Sequence, residues 1–214
     1  APYGGQSRGV NPEHENFWNF EFIDADNADE IRKAVRQNIY NGATVIKMVT
    51  GDNGIYSSDD IKTAVDEANK YGLKVTVHVR KGQAATNVIE GGAAAIEHGF
   101  ELDDTQLQLM KNKGTFLVGT DNTIENWYAY GIDSARATAR TNMIIDRLKR
   151  AYKIGTKMAF GTDIIADLPN LNRIQSNLKI LNTWKAAGIP PSYILQTMTI
   201  NAAELLGIEK ERGV

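Results

Sequence analysis

KVTVHVRKGQAATNVIEGGAAAIEHG, residues 74–99, decides the fold. KVTVHV has the β-branched alternation of a strand, QAATNVIEGG reads as a short helix ended by its glycine pair, and AAIEHG returns to strand. Strand, helix, strand in that order predicts parallel strands with helices packed outside them. The same rhythm extends upstream. NADEIRKAVRQNIYNG forms a helix with Ile31, Val35 and Ile39 along one face, capped by Asn27 or Asp29 and stopped at Gly42. TVIKMV follows as strand, and SSDDIKTAVDEANKYG as a helix opened by a Ser/Asp cap and closed by Gly72. Downstream come a DDTQLQLMKNKG helix with Leu107 and Met110 inward, a TFLVGT strand and a long helix over 134–154. A KMAFGT strand, a helix over 172–187 and a last helix in PPSYILQTMTINAAELLG complete the chain. The class is α/β, with five β-strands each followed by helical material. Five such units fit an open sheet, or a barrel whose first strands are absent from this chain. Residues 1–27 read as a leading loop.

Composition narrows the function classes. The chain has 214 residues, 42% of them hydrophobic, enough for one large domain or part of one with a real core. No cysteine is present, which excludes thiolate nucleophiles, disulfides and Cys-ligated zinc. The net charge is −2 and Lys and Arg are scattered, so no nucleic-acid surface is expected. No apolar run approaches the roughly 20 residues of a membrane span. APYGGQSRGV shows neither the charged nor the apolar region of a signal peptide. A mature chain that had lost one would read the same, so a soluble protein is expected, cytoplasmic or exported.

Four polar residues stand at the ends of strand-like runs: Lys47 in TVIKMV, His78 in KVTVHV, His98 in AAIEHG and Asp163 in FGTD. Side chains at the carboxyl ends of parallel strands point toward one mouth, where barrel active sites lie. Alternation puts Lys47 with Val45 and Val49, and His78 with Thr76 and Arg80, opposite the apolar faces of Ile46/Met48 and Val75/Val77/Val79. A lysine, two histidines and an aspartate gathered at one mouth make a metal site or a Schiff-base site. Each taken alone also has a plainer explanation, a lysine reaching solvent or a structural histidine.

The ordered set VIKM, VTVHV, IEHGFELDD, FGTD and NAAELLGI resembles the metal-dependent amidohydrolase superfamily, in its imidazolonepropionase-like and prolidase-like branch. The resemblance runs from about Asp29 to Ile208, and IEHG at 96–99 with TINAAELLG at 199–207 carries most of its specificity. It implies a (β/α)8 TIM barrel and hydrolysis of C–N bonds, in dipeptides, acyl-amino acids or cyclic amides. It implies a divalent metal, zinc first, as one or two ions. Lys47 would take up carbon dioxide as a carbamate bridging two metals, His78 and His98 would be imidazole ligands, and Asp163 would bind metal and move the proton of the attacking water.

The departures from that pattern matter equally. Only His14, His78 and His98 are present, and the family's first-strand His-x-His pair is missing. The chain therefore reads as the carboxyl-side part of an amidohydrolase barrel over 1–214, with about five βα units. Self-association, or complementation by the missing strands, is expected to complete it. Arg80 replaces a histidine often found there, and its guanidinium could hold a substrate carboxylate or a rim salt bridge. Tyr128 and Tyr130, in a βα loop, would line the pocket or pack that loop. Asp121 and Asn122, after TFLVGT, are weaker candidates of the same kind, and His14 is a solvated loop residue or a substrate contact. The expected partner is a small-molecule or short-peptide substrate. Two other readings compete: a Schiff-base aldolase using Lys47, and a non-catalytic partial barrel.

Overall fold

The computed structural model describes residues 23–51, 56–164 and 168–213, which fall into two compact units divided after Gly99. His14 and most of the expected leading loop lie outside the described residues, and 23–27 runs without regular structure into the first helix.

The first unit is built as the alternation predicts. Helix α1 (Ala28–Tyr40) starts at Asn27, whose side chain accepts from the amides of Asp29 and Glu30, and Ile31 and Val35 are its buried residues. Asn27, not Asp29, is the cap. Strand β1 (Ile46–Val49) follows, then α2 (Ser58–Asn69), opened by a reciprocal capping box between Ser57 and Asp60. Strand β2 (Val75–Val79), helix α3 (Gly82–Glu90) and strand β3 (Ala95–His98) complete it. The strands are parallel in the order β1-β2-β3, with Lys47 opposite Thr76 and His78 opposite Glu97. Val75, Val77 and Val79 are buried, and Ile61, Ala64, Ala85, Val88 and Ile89 fill the core with them. Glu67 ties α1 to α2: Arg36 Nε and Lys70 Nζ each donate to it at 2.6 Å, while its own side chain is 2% exposed.

The second unit contains α4 (Asp104–Lys113), β4 (Phe116–Val118), α5 (Ile124–Ala129) and α6 (Ser134–Ile154). Helices α7 (Arg173–Lys179), α8 (Leu181–Ala186), α9 (Pro191–Met198) and α10 (Ile200–Leu206) follow. Leu107, Met110, Leu117, Ile144, Leu148, Met158 and Trp184 make its core.

Four expectations need correction here. The KMAFGT run is not a full strand; it pairs with β4 through a single parallel bridge, Leu117 to Met158, flanked by amide bonds of 2.9 and 3.1 Å. The helix over 172–187 is interrupted at Ile180, where Ile180 N to Asn177 O and Thr183 N to Ile180 O tighten the turn. The last helix breaks at Thr199, whose φ of −124° and ψ of −91° are not helical. ENWYAYG, read as loop, holds α5, with Thr123 and Asn126 forming a capping box around its first turn.

Candidate functional site

The first unit places Lys47, His78 and His98 as strand periodicity demands for the first two and against it for the third. Lys47 is exposed between buried Ile46 and Met48, and is matched in register with Thr76. His78, half-buried, lies two residues on, on the same face. Register pairs His98 with Val79, so a regular pleat would turn His98 toward the apolar side with that valine. Its ring instead meets the ring of His78 edge-on, with centroids 4.2 Å apart and planes at 67°. The backbone explains the reversal. His98 has φ +73°, a left-handed conformation that ends the strand and re-aims the side chain.

Glu97, which sequence reasoning passed over, takes the place that alternation reserves on the His78 face. The Thr76 hydroxyl donates to its carboxylate at 2.6 Å. The signal was available: in parallel register, Lys47, Thr76, His78 and Glu97 share one face. Arg80 follows β2 directly and is exposed.

In the second unit Asp163 is exposed and also left-handed, with φ +46°. Among the described residues only four non-glycine residues have positive φ, and three of them, His98, Thr120 and Asp163, sit at or just beyond the ends of strand or strand-like runs. Such strain costs about 1–3 kcal/mol per residue and clusters at functional sites. The approach to Asp163 is held by Thr197 of α9 and by Asn201 of the TINAAELLG segment. Asn201 Nδ2 donates to the Met158 carbonyl at 2.9 Å, and the Phe160 amide donates to Thr197 O at 3.0 Å. Gly161 is required for close approach, since a Cβ there would stand 2.5 Å from Val118 Cγ1.

Asp121 is buried. Its carboxylate accepts from Arg147 Nη2 at 2.5 Å, and both side chains are buried, with 1% and 0% exposure. Asn122 is buried beside it in sequence. Tyr128 and Tyr130 belong to α5 and its C-cap, not to a loop. Tyr130 packs against Trp127 with ring centroids 6.0 Å apart, while Tyr128 is exposed and lines a cavity with Glu125, Ala129, Leu168, Pro169, Leu171 and Lys179.

The donor chemistry fits a divalent metal at two positions of one unit, where His78 and His98 bring two imidazoles together. Among the described residues no group of three or more His, Asp or Glu side chains converges, so these two rings are the local extent of that fit. Among the same residues no helix is long and apolar enough to cross a membrane.

The sequence profile of the Amidohydrolase family matches residues 9–214. The ochratoxinase of Aspergillus niger is 29% identical over 200 residues, covering 86% of this chain and 40% of that protein. A solved Xaa-Pro dipeptidase with methionine bound in its active site superimposes with a TM-score of 0.81 at 26% identity, over 100% of this chain and 56% of the other. A prolidase complexed with N-methylphosphonate-L-proline gives a TM-score of 0.71 at 26% identity, over 100% of this chain and 55% of that one. This chain thus spans about half the length, or less, of the proteins it matches. The fold class is α/β of TIM-barrel type, as the sequence leads one to expect.

Proposed function

Since this chain belongs to the amidohydrolase family, we propose that it serves the hydrolysis of amide bonds in short peptides or acyl-amino acids. The observation that carries the reading is the contact of the His78 and His98 rings, obtained by a left-handed backbone at His98 that a purely structural histidine has no need of. The solved structures add support, since one is named an Xaa-Pro dipeptidase and another a prolidase.

In this reading His78 and His98 would hold a divalent metal, zinc first, and Lys47 would join them as a carbamate. Its neutral amine nitrogen would add to carbon dioxide with loss of one proton, forming an N–C bond and leaving an anionic carbamate whose oxygens could serve as metal ligands. The metal, when bound, supplies an activated water and polarises the scissile carbonyl. Asp163 would be the group that takes a proton from the attacking water and gives it to the leaving amine nitrogen. Arg80, just beyond the same strand as His78, recognises the free carboxylate of the substrate through its guanidinium fork.

The test is hydrolysis of a panel of Xaa-Pro and acyl-amino-acid substrates by chelator-treated protein, before and after zinc is restored. Zinc-dependent release of the amino acid, lost in Asp163→Asn, is the expected result. Activity that survives chelation, or that is trapped by borohydride on Lys47, would replace this reading with Schiff-base chemistry.

A further inference from the structure

The second unit holds a cavity that the hydrolytic residues do not account for. Its volume is about 450 Å³, within the roughly 300–1,000 Å³ of small-ligand pockets. Ala129, Leu168, Pro169, Leu171 and the ring of Tyr128 give it apolar walls, and Glu125 and Lys179 add one charge of each sign. Its chain placement is informative. One wall is α5, which begins six residues after β4 ends; the other is the 168–171 turn, which follows Asp163. The parallel Leu117–Met158 bridge makes both segments leave the sheet at the same, carboxyl end. In α/β sheets that end is where ligands bind.

The walls are built rather than incidental. The turn is closed by the Leu171 amide bonding Leu168 O at 3.1 Å, and the Leu168 amide reaches Ser176 Oγ on α7 at 3.4 Å. Opposite them, α5 is held by its Thr123–Asn126 box. The Thr123 hydroxyl, helped by the Glu125 amide and the charge of Lys179, holds the Glu125 carboxyl below its ordinary range against partial burial. The Glu125 carboxyl is therefore favoured in its charged form, and both rim side chains are exposed.

We propose that this cavity binds a hydrophobic amino acid in its zwitterionic form, the product side of the proposed hydrolysis. The side chain lies against Leu168, Leu171 and Tyr128, the carboxylate faces Lys179 and the ammonium faces Glu125. The inference rests on the hydrolytic reading for its meaning, but not for its test. An apolar wall with two opposite charges selects against glycine, which offers nothing to bury, and against ligands that lack either backbone charge.

The experiment is calorimetric titration of the full chain with L-phenylalanine, glycine, phenethylamine and 3-phenylpropionate. L-Phenylalanine should bind most tightly, with glycine weaker by at least about tenfold. Lys179→Gln should weaken phenylalanine and phenylpropionate while sparing phenethylamine, and Glu125→Gln should do the converse. Ala129→Trp, which fills the cavity from an exposed helical position, should abolish binding while cooperative unfolding is retained. Equal affinity for glycine and phenylalanine, or identical affinities in all three variants, would overturn the proposal. Cavity-dependent phenylalanine binding without any hydrolysis would sink the hydrolytic reading and leave the cavity assignment standing. Hydrolysis with KM unchanged in all three variants would do the reverse.

Discussion

The rings of His78 and His98 meet edge-on at 4.2 Å between centroids, although strand register assigns the two residues to opposite faces of β2 and β3. The pairing depends on the left-handed backbone of His98, so backbone and ring can be separated by substitution. His98→Asn keeps a side chain that tolerates φ near +73°. It should unfold within about 1 kcal/mol of the parent and lose metal-dependent activity. His98→Val adds the left-handed penalty of a β-branched residue, about 1–2 kcal/mol. Denaturant midpoints of the two variants check the difference; equal midpoints would mean that the conformation carries no strain.

Asp121 and Arg147 form the buried ion pair of the second unit, and Gly119 lies against both. Asp121→Ala leaves a buried guanidinium without its counter-charge and should cost about 3–5 kcal/mol. Gly119→Ala would put a Cβ 2.3 Å from Asp121 Oδ1 and 2.6 Å from Arg147 Nη1, forcing that pair apart. It should approach the same loss. Urea unfolding measures both, and a Gly119→Ala protein as stable as the parent would show that the pair can move.

Glu67 makes stability depend on acid. The hydrogen bonds from Arg36 and Lys70 hold its carboxyl down to about 2, from an ordinary 4.5. A carboxyl lowered on folding binds fewer protons folded than unfolded, so its contribution is complete above pH 4.5 and fades as pH falls toward 2. The urea midpoint of the parent should therefore drop across that window, and Glu67→Gln should flatten the drop. Parallel curves would remove Glu67 from the account.

Asn201 holds the Met158 carbonyl, five residues before Asp163. Asn201→Ala should cost about 1 kcal/mol of stability. It should also lower the hydrolytic rate more than it raises KM, the outcome expected of the proposed role of Asp163 in moving a proton. A variant with unchanged kcat would confine Asn201 to a structural role.

Much of this was legible in the sequence because strand periodicity is strict. Lys47 and His78 follow from counting by twos, and all four strands fall inside the runs that alternation marks. His98 was found by its place at a strand end, yet the same counting selects Glu97 for that face; a single left-handed residue reverses the rule, and nothing in the sequence announces it. Helix breaks were hidden for a related reason. Apolar spacing continues through Ile180 and Thr199, while the breaks are made by backbone angles that leave the pattern intact. Helix α5 was missed because six residues give less than two turns of periodicity, although its Thr-x-x-Asn cap was visible. Asp121 stands at a strand end as a weaker pocket candidate, and only its contact with Arg147, 26 residues on, shows its place in a buried ion pair.

The central claim is that His78 and His98 form the imidazole part of a metal centre. Equilibrium dialysis of the full chain against zinc, with bound metal counted per chain, tests it most directly. The account predicts at least one equivalent for the parent and near-complete loss in both His78→Ala and His98→Ala, with the variants still folded. Zinc retained equally by the two variants, or absent from a folded parent, would contradict it.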